Sequence, residues 1–439
     1  MQSVDTLIHA RWIIPVEPAD LVLEHHAIVI DDGRIIDILP SDIARETYQA
    51  ATIKQLDSHA LIPGLVNAHT HTAMNLMRGM ADDLPLMEWL EGHIWPAEAK
   101  WVSKEFVHDG CELAIAEMLK SGTTCFQDMY FFPDVVGRVA DRVGIRACIG
   151  LIVIDFPTAW AQDADDYFRK GIAVHDQFRT NSLITSSFAP HAPYTVSDEP
   201  LERIRTYAEE LDIPIHMHVH ETAFEVQSAE EQSGKRPLQR LNELGLVTPR
   251  LVAVHMTQLT DDEIQLLADS GSHVVHCPES NLKLASGFCQ VEKLMQAGIN
   301  VALGTDGAAS NNDLDMFSEM RTAAQLAKAV AGDASALPAA QALRMATLNG
   351  ARALGLDKDI GSLEIGKAAD ITAVDLGQLQ TQPVYHPISQ LVYAAGREQV
   401  TDVWVAGRHL LKGGKLTSMD EADILGRAHV WRDKMVEFD

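Results

Sequence analysis

Residues 61–71 read Leu-Ile-Pro-Gly-Leu-Val-Asn-Ala-His-Thr-His, an apolar run that ends in two histidines separated by one residue. Side chains alternate between the two faces of a strand, so we expect His69 and His71 to point the same way from the end of a short buried strand. Two imidazoles in this relation can hold one metal ion. The pair alone is weak evidence, because histidine is also common as an ordinary packed or surface residue.

Strand-like runs alternate with helical stretches through the middle of the chain, which is the pattern of a parallel α/β fold. The helical spacers have recognisable ends: one stops at Ser121-Gly122, and Thr260-Asp-Asp-Glu263 has the spacing of a capping box. Eight strand–helix units predict a slightly elaborated TIM (β/α)8 barrel. The expected strands are residues 65–71, 123–129, 146–154, 183–190, 213–219, 251–255, 273–277 and 300–305.

Both ends of the chain have a different sequence pattern, with short stretches that alternate apolar and polar residues. They cover residues 4–60, where Asp32-Gly33 is a hairpin signal, and residues 360–415. We therefore expect a barrel at 61–359. Residues 1–60 and 360–439 are expected to form one small β-sandwich-like domain that ends in a C-terminal helix.

Composition narrows the possible partners. The 439-residue chain has 35 basic and 62 acidic side chains and a net charge of −27, which would repel nucleic acids and anionic lipid surfaces. No apolar run is long enough to span a bilayer, and the N-terminus lacks a secretory signal pattern, so we expect a cytoplasmic protein. A small neutral or cationic substrate fits this charge. Five scattered cysteines without a Cys-x-x-Cys pair argue against both disulfides and a zinc finger.

Residues whose side chains can bind a metal or take part in catalysis fall at the ends of the predicted strands. These strand ends meet at one face of a TIM barrel. Three imidazoles and one carboxylate suit Zn²⁺ or Fe²⁺ with a position left for water. Strand four has no lysine to bridge a second ion, so we expect one metal. The predicted ligands are His69, His71, His218 and Asp306.

Strand five leaves an alternative open, because His216, His218 and His220 alternate and would share one face of an ideal strand. Only one of them is needed as a ligand. Spacing alone does not choose between them.

Short motifs in a fixed order carry a resemblance over nearly the whole chain. They are Pro63-Gly-Leu-Val-Asn-Ala-His-Thr-His, Ala189-Pro-His-Ala-Pro-Tyr, His218-Val-His-Glu221, Ala253-Val-His255, Ser280-Asn-Leu-Lys-Leu and Leu303-Gly-Thr-Asp-Gly-Ala-Ala-Ser310. With these motifs the chain resembles the amidohydrolase superfamily. Within it, the chain looks like the branch of 5-methylthioadenosine/S-adenosylhomocysteine deaminases, which are related to triazine hydrolases.

The resemblance implies a role for each matching residue. The family pattern His-x-x-Glu selects His218 as the strand-five ligand and Glu221 as the acid/base partner, which would protonate the substrate ring nitrogen. Asp306 would bind the metal and accept a proton from water, while His255 would orient the attacking oxygen. The implied substrate contacts are Glu98, His191, Glu221 and Ser310.

Each of these residues has an ordinary alternative when taken alone. Glu98 could be a solvated helix carboxylate, His255 a packed histidine, and Asp306 the cap of a turn. Four such coincidences at four strand ends are improbable together, which favours a catalytic site.

The expected reaction is hydrolysis of 5′-methylthioadenosine to 5′-methylthioinosine and ammonia, with adenosine as a second substrate. The resemblance implies that family members which accept S-adenosylhomocysteine present arginines, after strand three, to its carboxylate. This chain has no basic residue between Arg146 and Arg169, which disfavours S-adenosylhomocysteine. The alternatives are another heterocycle, such as guanine, cytosine or an s-triazine, and a non-catalytic scaffold. The resemblance also implies a homo-oligomer, either a dimer or a tetramer.

Overall fold

A computed structural model describes residues 1–436, in which sixteen strands form two eight-stranded sheets. The strands are β1 Gln2–Ile13, β2 Leu23–Asp31, β3 Arg34–Pro40, β4 Tyr48–Pro63, β5 Leu65–Thr70, β6 Thr123–Asp128, β7 Arg146–Val153, β8 Ile184–Pro190, β9 Ile215–Val219, β10 Leu251–His255, β11 His273–His276, β12 Asn300–Leu303, β13 Ile371–Asp375, β14 Val400–Val405, β15 Arg408–Lys412 and β16 Lys415–Leu416.

Helices cover the outside of the barrel sheet and fill the long connection between its first two strands. They are α1 Ser41–Thr47, α2 Leu86–Trp89, α3 Trp95–Trp101, α4 Lys104–Lys120, α5 Pro133–Val143, α6 Ala164–Phe178, α7 Asp198–Leu211, α8 Ala223–Ser233, α9 Pro237–Glu243, α10 Asp261–Ser270, α11 Pro278–Lys283, α12 Val291–Gln296, α13 Ala308–Asn311, α14 Met316–Ala331, α15 Ala339–Met345, α16 Leu348–Ala353, α17 Pro387–Tyr393 and α18 Glu421–Val436. Short 3₁₀ turns occupy Thr72–Met77, Leu379–Thr381 and Arg397–Gln399, and a π-helical turn occupies Leu90–Ile94.

The strands β5 to β12 run parallel and lie side by side in chain order. Polar contacts bring the first and last of them together: the Thr305 backbone N–H donates to Asn67 Oδ1 at 3.0 Å, and the Asp306 N–H donates to the His69 carbonyl at 3.0 Å. Gly304 permits this approach, because a Cβ there would lie 2.8 Å from the backbone nitrogen of His69. The predicted TIM barrel is confirmed, and each strand begins and ends within two residues of its expected bounds.

Strands from both termini form the second sheet, in the order β16-β15-β14-β13-β4-β1-β2-β3. All neighbouring pairs are antiparallel except β1 with β4. The predicted hairpin joins β2 to β3 through Asp32 and Gly33, whose φ values of 47° and 72° suit the two-residue turn that follows strand twist. The domain limits at 60/61 and 359/360 stay a prediction, and residues 437–439 lie outside the described part.

Polar contacts join the terminal segments to the barrel. Arg146, the first residue of β7, makes a bidentate ion pair with Asp370 just before β13, at 2.7 and 3.2 Å, and both side chains are buried. The C-terminal helix α18 packs on α4, where Trp431 Nε1 donates to Asp109 Oδ2 at 2.9 Å. All five cysteines are buried and free. Within residues 1–436, no helix has the length and hydropathy that crossing a membrane requires.

Candidate metal centre and catalytic cavity

The four predicted ligands meet at the C-terminal face of the barrel. The ring nitrogens of His69, His71 and His218 and a carboxylate oxygen of Asp306 all lie within 4.8 Å of one another. Nε2 of His69 is 3.2 Å from Nε2 of His218 and 3.4 Å from Asp306 Oδ1, while Nε2 of His71 is 3.2 Å from that same oxygen. The chain thus brings one carboxylate and three imidazoles, from β5, β9 and the segments that follow β5 and β12, to one point.

This spacing fits a metal ion. A tetrahedral zinc ion with ligands at about 2.0–2.1 Å has ligand–ligand separations of about 3.3–3.4 Å. Three of the separations between the donor atoms, at 3.2, 3.4 and 3.2 Å, are close to that value, and all of them are within 4.8 Å. The nitrogen and oxygen donors also suit Zn²⁺ or Fe²⁺.

The second nitrogen of each ring is held by a neighbour, which fixes how the ring is turned. Nδ1 of His71 donates to the Met129 carbonyl, and Nδ1 of His218 donates to the His191 carbonyl at 2.7 Å. Nδ1 of His69 is 2.9 Å from His216 Nε2. Such bonds leave Nε2 of each ring free to face the metal and set its tautomer.

Asp306 is held by several donors besides the histidines. Its Oδ2 accepts from the hydroxyls of Ser280 at 2.6 Å and Ser310 at 2.9 Å, and its Oδ1 accepts from the Gly307 N–H at 2.8 Å. Burial alone would raise the pKa of this carboxyl, but hydrogen bonds from His69 and His71 hold it well below its usual range. The carboxylate is therefore charged and oriented.

Glu221, the predicted acid/base partner, lies between the end of β9 and the start of α8. Glu221 is buried and lines the cavity, and its Oε2 lies 3.8 Å from Nε2 of His255. Burial raises the pKa of Glu221, so its protonated form persists to higher pH than for an exposed glutamate. His255 donates from Nδ1 to Asn281 Oδ1 at 2.8 Å, which turns its Nε2 toward the cavity.

A cavity of about 290 Å³ leads away from the metal donors, and its walls are largely apolar. One wall comes from the connection between β5 and β6, including Met74 and Trp89, and another from the segment after β7, including Ile154 and Phe156. Size and lining are those of a small-molecule site.

Two of the predicted substrate contacts lie on the cavity walls. Burial raises the pKa of Glu98 to about 7, with Tyr130 and His71 opposing the shift. Burial, with the nearby His71 and His69, lowers the pKa of His191 to about 3, so this imidazole is neutral. Its Nδ1 lies 3.1 Å from Thr195 Oγ1.

The structure also separates the three alternating histidines of strand five. His218 joins the donor group, and His216 lies against His69. His220 follows the end of β9 in a left-handed conformation, with φ 53°, and its Nε2 accepts from the Leu238 N–H at 3.1 Å. His220 therefore faces away from the donor group.

Sequence reasoning missed the residues that support the donors. They are Ser280, which bonds to Asp306, Asn281, which bonds to His255, and His216, which bonds to His69. The first two lie in the quoted Ser-Asn-Leu-Lys motif, so the motif was a signal although no role was assigned to it.

A second group of possible ligands, His108, Asp109 and Glu112, lies on α4. The guanidinium of Arg427 from α18 pairs with both of its carboxylates. This group is therefore a helix-packing contact.

The sequence of the chain is similar to those of a known family and of its curated members. Residues 60–410 match the amidohydrolase family. The chain is 51% identical over 433 residues to a 5-methylthioadenosine/S-adenosylhomocysteine deaminase of Teredinibacter turnerae, which covers 99% of this chain and 98% of that one.

Two solved structures are similar over nearly the whole chain. An adenosine deaminase from Xanthomonas campestris with bound zinc has a TM-score of 0.98 and 56% identity, with 99% of both chains covered. An atrazine chlorohydrolase from Arthrobacter aurescens TC1 complexed with zinc has a TM-score of 0.90 at 22% identity, covering 97% of this chain and 99% of that one. The second likeness concerns the fold alone.

Proposed function

The chain belongs to the amidohydrolase family, and from this premise we propose that it hydrolyses 5′-methylthioadenosine to 5′-methylthioinosine and ammonia, and adenosine to inosine. The names of its full-length relatives and the zinc-bound adenosine deaminase support this proposal. The observation that carries it is the buried Glu221 beside four convergent metal donors, at the end of an apolar cavity.

We propose that His69, His71, His218 and Asp306 hold one divalent ion, Zn²⁺ or Fe²⁺. When bound, such an ion supplies Lewis acidity that lowers the pKa of water to about 7, which makes a nucleophile at neutral pH. No serine, cysteine or lysine nucleophile is then required.

The chain's own groups supply the proton transfers. The carboxyl of Glu221 gives its proton to the ring nitrogen beside the carbon that bears the amino group, which makes that carbon more electrophilic. Nε2 of His255 orients the attacking water, and the carboxylate of Asp306 takes its first proton. That proton leaves with the amino group as ammonia, and the second proton of water returns to Glu221. The atoms of the substrate and one water molecule are thus all accounted for in the product and ammonia, and Glu221 and Asp306 return to their starting protonation states.

The remaining predicted residues bind or support. Glu98 and His191 face the cavity with one acceptor and one neutral imidazole, which suits the hydroxyl groups of a sugar. We propose both as substrate contacts. Ser310 lines the cavity and also donates to Asp306, so we propose that it both orients this carboxylate and borders the substrate.

The cavity also bears on which nucleoside is used. No lysine or arginine is among the described residues that line it. The carboxylate of S-adenosylhomocysteine would find no cationic partner there, and an unpaired charge is costly to bury. A methylthio group is uncharged and suits the largely apolar walls of the cavity. We therefore propose 5′-methylthioadenosine as the preferred substrate and S-adenosylhomocysteine as a poor one.

A substrate panel tests this proposal directly. Zinc-loaded protein is incubated with 5′-methylthioadenosine, adenosine, S-adenosylhomocysteine, guanine, cytosine and atrazine, and ammonia or chloride release is measured with the absorbance change. We expect the highest kcat/KM for 5′-methylthioadenosine. Turnover of another ring with none of 5′-methylthioadenosine would reject the substrate. Less than one tightly held metal per chain, with no hydrolysis after zinc addition, would favour a non-catalytic scaffold.

Two further proposals concern the state of the protein. We propose a homo-oligomer, dimer or tetramer, which light scattering on the purified chain tests. We also propose a cytoplasmic location, which the five free, buried thiols support, since disulfides are rare in that compartment. Fractionation of the source cells tests the location.

A further inference from the structure

The backbone turns sharply between the metal ligand His218 and the acid Glu221. Strand β9 ends at Val219, and His220 has φ 53°, a backbone conformation that residues other than glycine rarely adopt. This turn points Glu221 into the cavity while His220 faces away from it. The position of the Glu221 carboxyl therefore depends on whatever holds the turn.

Glu225 holds the turn from one side. Its Oε2 accepts from the Glu221 N–H at 2.7 Å, and its Oε1 accepts from the His220 N–H at 3.1 Å. The side chain is buried, and burial first, then the charge of Glu221, raises the pKa of Glu225 to about 8. The Glu225 carboxyl keeps acceptor capacity in both its protonated and its ionised form, so these two hydrogen bonds do not require the charged form.

Thr257, which follows β10, holds the same turn from the opposite side. Its backbone N–H donates to the His220 carbonyl at 3.0 Å, and its hydroxyl donates to the Glu221 carbonyl at 2.7 Å. The peptide that carries Glu221 is thus fixed on both sides by buried groups.

An ordinary helix cap does not explain these bonds. In α10 the first-turn Glu263 accepts from the N–H of its own N-cap residue, Thr260, at 2.9 Å, as a capping box requires. In α8 the equivalent Glu225 also accepts from the N–H groups of His220 and Glu221, the two residues before its N-cap residue Thr222. The glutamate at this helix position in α8 therefore reaches backbone groups beyond the N-cap residue, which Glu263 in α10 does not.

We propose that Glu225 is a positioning residue that holds the Glu221 carboxyl where it can protonate the substrate ring. The inference rests on the proposed function of Glu221. Glu225 contacts neither the cavity nor the metal donors among the described residues, so it acts only through the turn. A displacement of about 1 Å in a catalytic group can cost about 10²-fold in rate.

The test is a double-mutant cycle on the metal-loaded enzyme, with Glu225→Gln, Glu221→Gln and the double variant. Gln keeps the size of residue 225 but places an amide NH₂ against one of the two N–H groups. We expect Glu225→Gln to lower kcat by about 10- to 100-fold with little change in KM and full zinc content. In the Glu221→Gln background the same change should lower kcat by less than about 2-fold, because the group it positions is already gone.

Two comparison variants keep the test decisive. Asp420→Asn removes a carboxylate that accepts two N–H bonds at the start of α18, far from the cavity, and should leave kcat unchanged. Thr257→Val removes the hydroxyl, whose shortest bond is to the Glu221 carbonyl and which also contacts the His220 and Ser286 carbonyls and Gln258. This variant should also lower kcat, again not additively with Glu221→Gln. If Glu225→Gln does not fold, Glu225→Asp, which keeps the carboxyl but shortens its reach to the two N–H groups, takes its place in the cycle.

The outcomes are distinguishable from those of the proposed function. The cycle is measured on whichever aminoheterocycle the wild type turns over, so a wrong substrate does not affect it. Wild-type kcat in Glu225→Gln, or equal losses with and without Glu221, would overturn the positioning role. An inactive wild type with bound zinc would instead reject the proposed function.

Discussion

Replacing Glu221 with Gln should abolish nearly all turnover and leave the metal in place. Gln has the shape of Glu and can donate a hydrogen bond, but it cannot deliver a proton to the ring nitrogen. General acid catalysis by a positioned group contributes about 10²- to 10⁴-fold. Glu221 lines the cavity with only 7% of its surface exposed, so we expect solvent to be a poor replacement for its carboxyl. We therefore expect a loss of about 10³-fold, or about 4 kcal/mol of transition-state stabilisation.

The pH profile gives an independent check on the same residue. Burial raises the pKa of Glu221, so the protonated acid persists above the usual range of a glutamate. Activity that needs this proton is present below the raised pKa and is lost as the pH rises through it. The wild type should therefore lose kcat on the alkaline side, and the residual activity of Glu221→Gln should lack that limb.

The assay is ammonia release under saturating substrate, with zinc content measured on the same sample. Glu221 is outside the four-donor group, so Glu221→Gln should retain one metal per chain. A variant that keeps more than a tenth of wild-type kcat, with its alkaline limb unchanged, would refute the assigned role. Loss of zinc in this variant would show that the carboxyl acts on the metal site instead.

Three further predictions follow from other contacts. Burial lowers the pKa of His71 but Asp306 raises it to about 9 in the metal-free site, so zinc uptake at pH 7 should release about one proton; calorimetry in buffers of different ionisation enthalpy checks this, and zero release would contradict it. Asn281→Leu removes the acceptor of His255 Nδ1 and should lower kcat about 10-fold at constant zinc content; unchanged kcat would contradict it. Asp370→Asn leaves the buried Arg146 uncompensated and should cost about 3–5 kcal/mol in urea unfolding; a loss below about 1 kcal/mol would contradict it.

Local signals in the sequence were sufficient for the elements of the fold. The capping box at Thr260 and Glu263 forms with both of its bonds, and the turn at Asp32-Gly33 joins β2 to β3. The residues that form each of these features are neighbours in the chain, so their spacing can be recognised without the tertiary structure. The same holds for the buried barrel strands, whose apolar runs are bounded by polar residues.

The orientation of side chains at the strand ends depended on distant residues instead. Alternation along a strand places His216, His218 and His220 on one face, but the strand ends at Val219 because Thr257 and Glu225 hold the next peptide in a turn. Neither residue belongs to that strand, and no periodicity in it announces the turn. The position of Glu98 was equally non-local, since it comes from the long connection between β5 and β6.

The site therefore forms where the regular strand geometry stops. His220, His255 and Asp306 all have positive φ, at 53°, 76° and 61°, and each follows or ends a barrel strand. Such conformations cost about 1–2 kcal/mol per residue, so they persist only where other bonds enforce them. Those bonds come from other elements, as when Asp306 donates its N–H to the His69 carbonyl or His220 donates its N–H to Glu225 of α8. Because the bond from Asp306 to His69 also links the first and last strands, closure of the barrel and placement of the metal donors depend on the same contact.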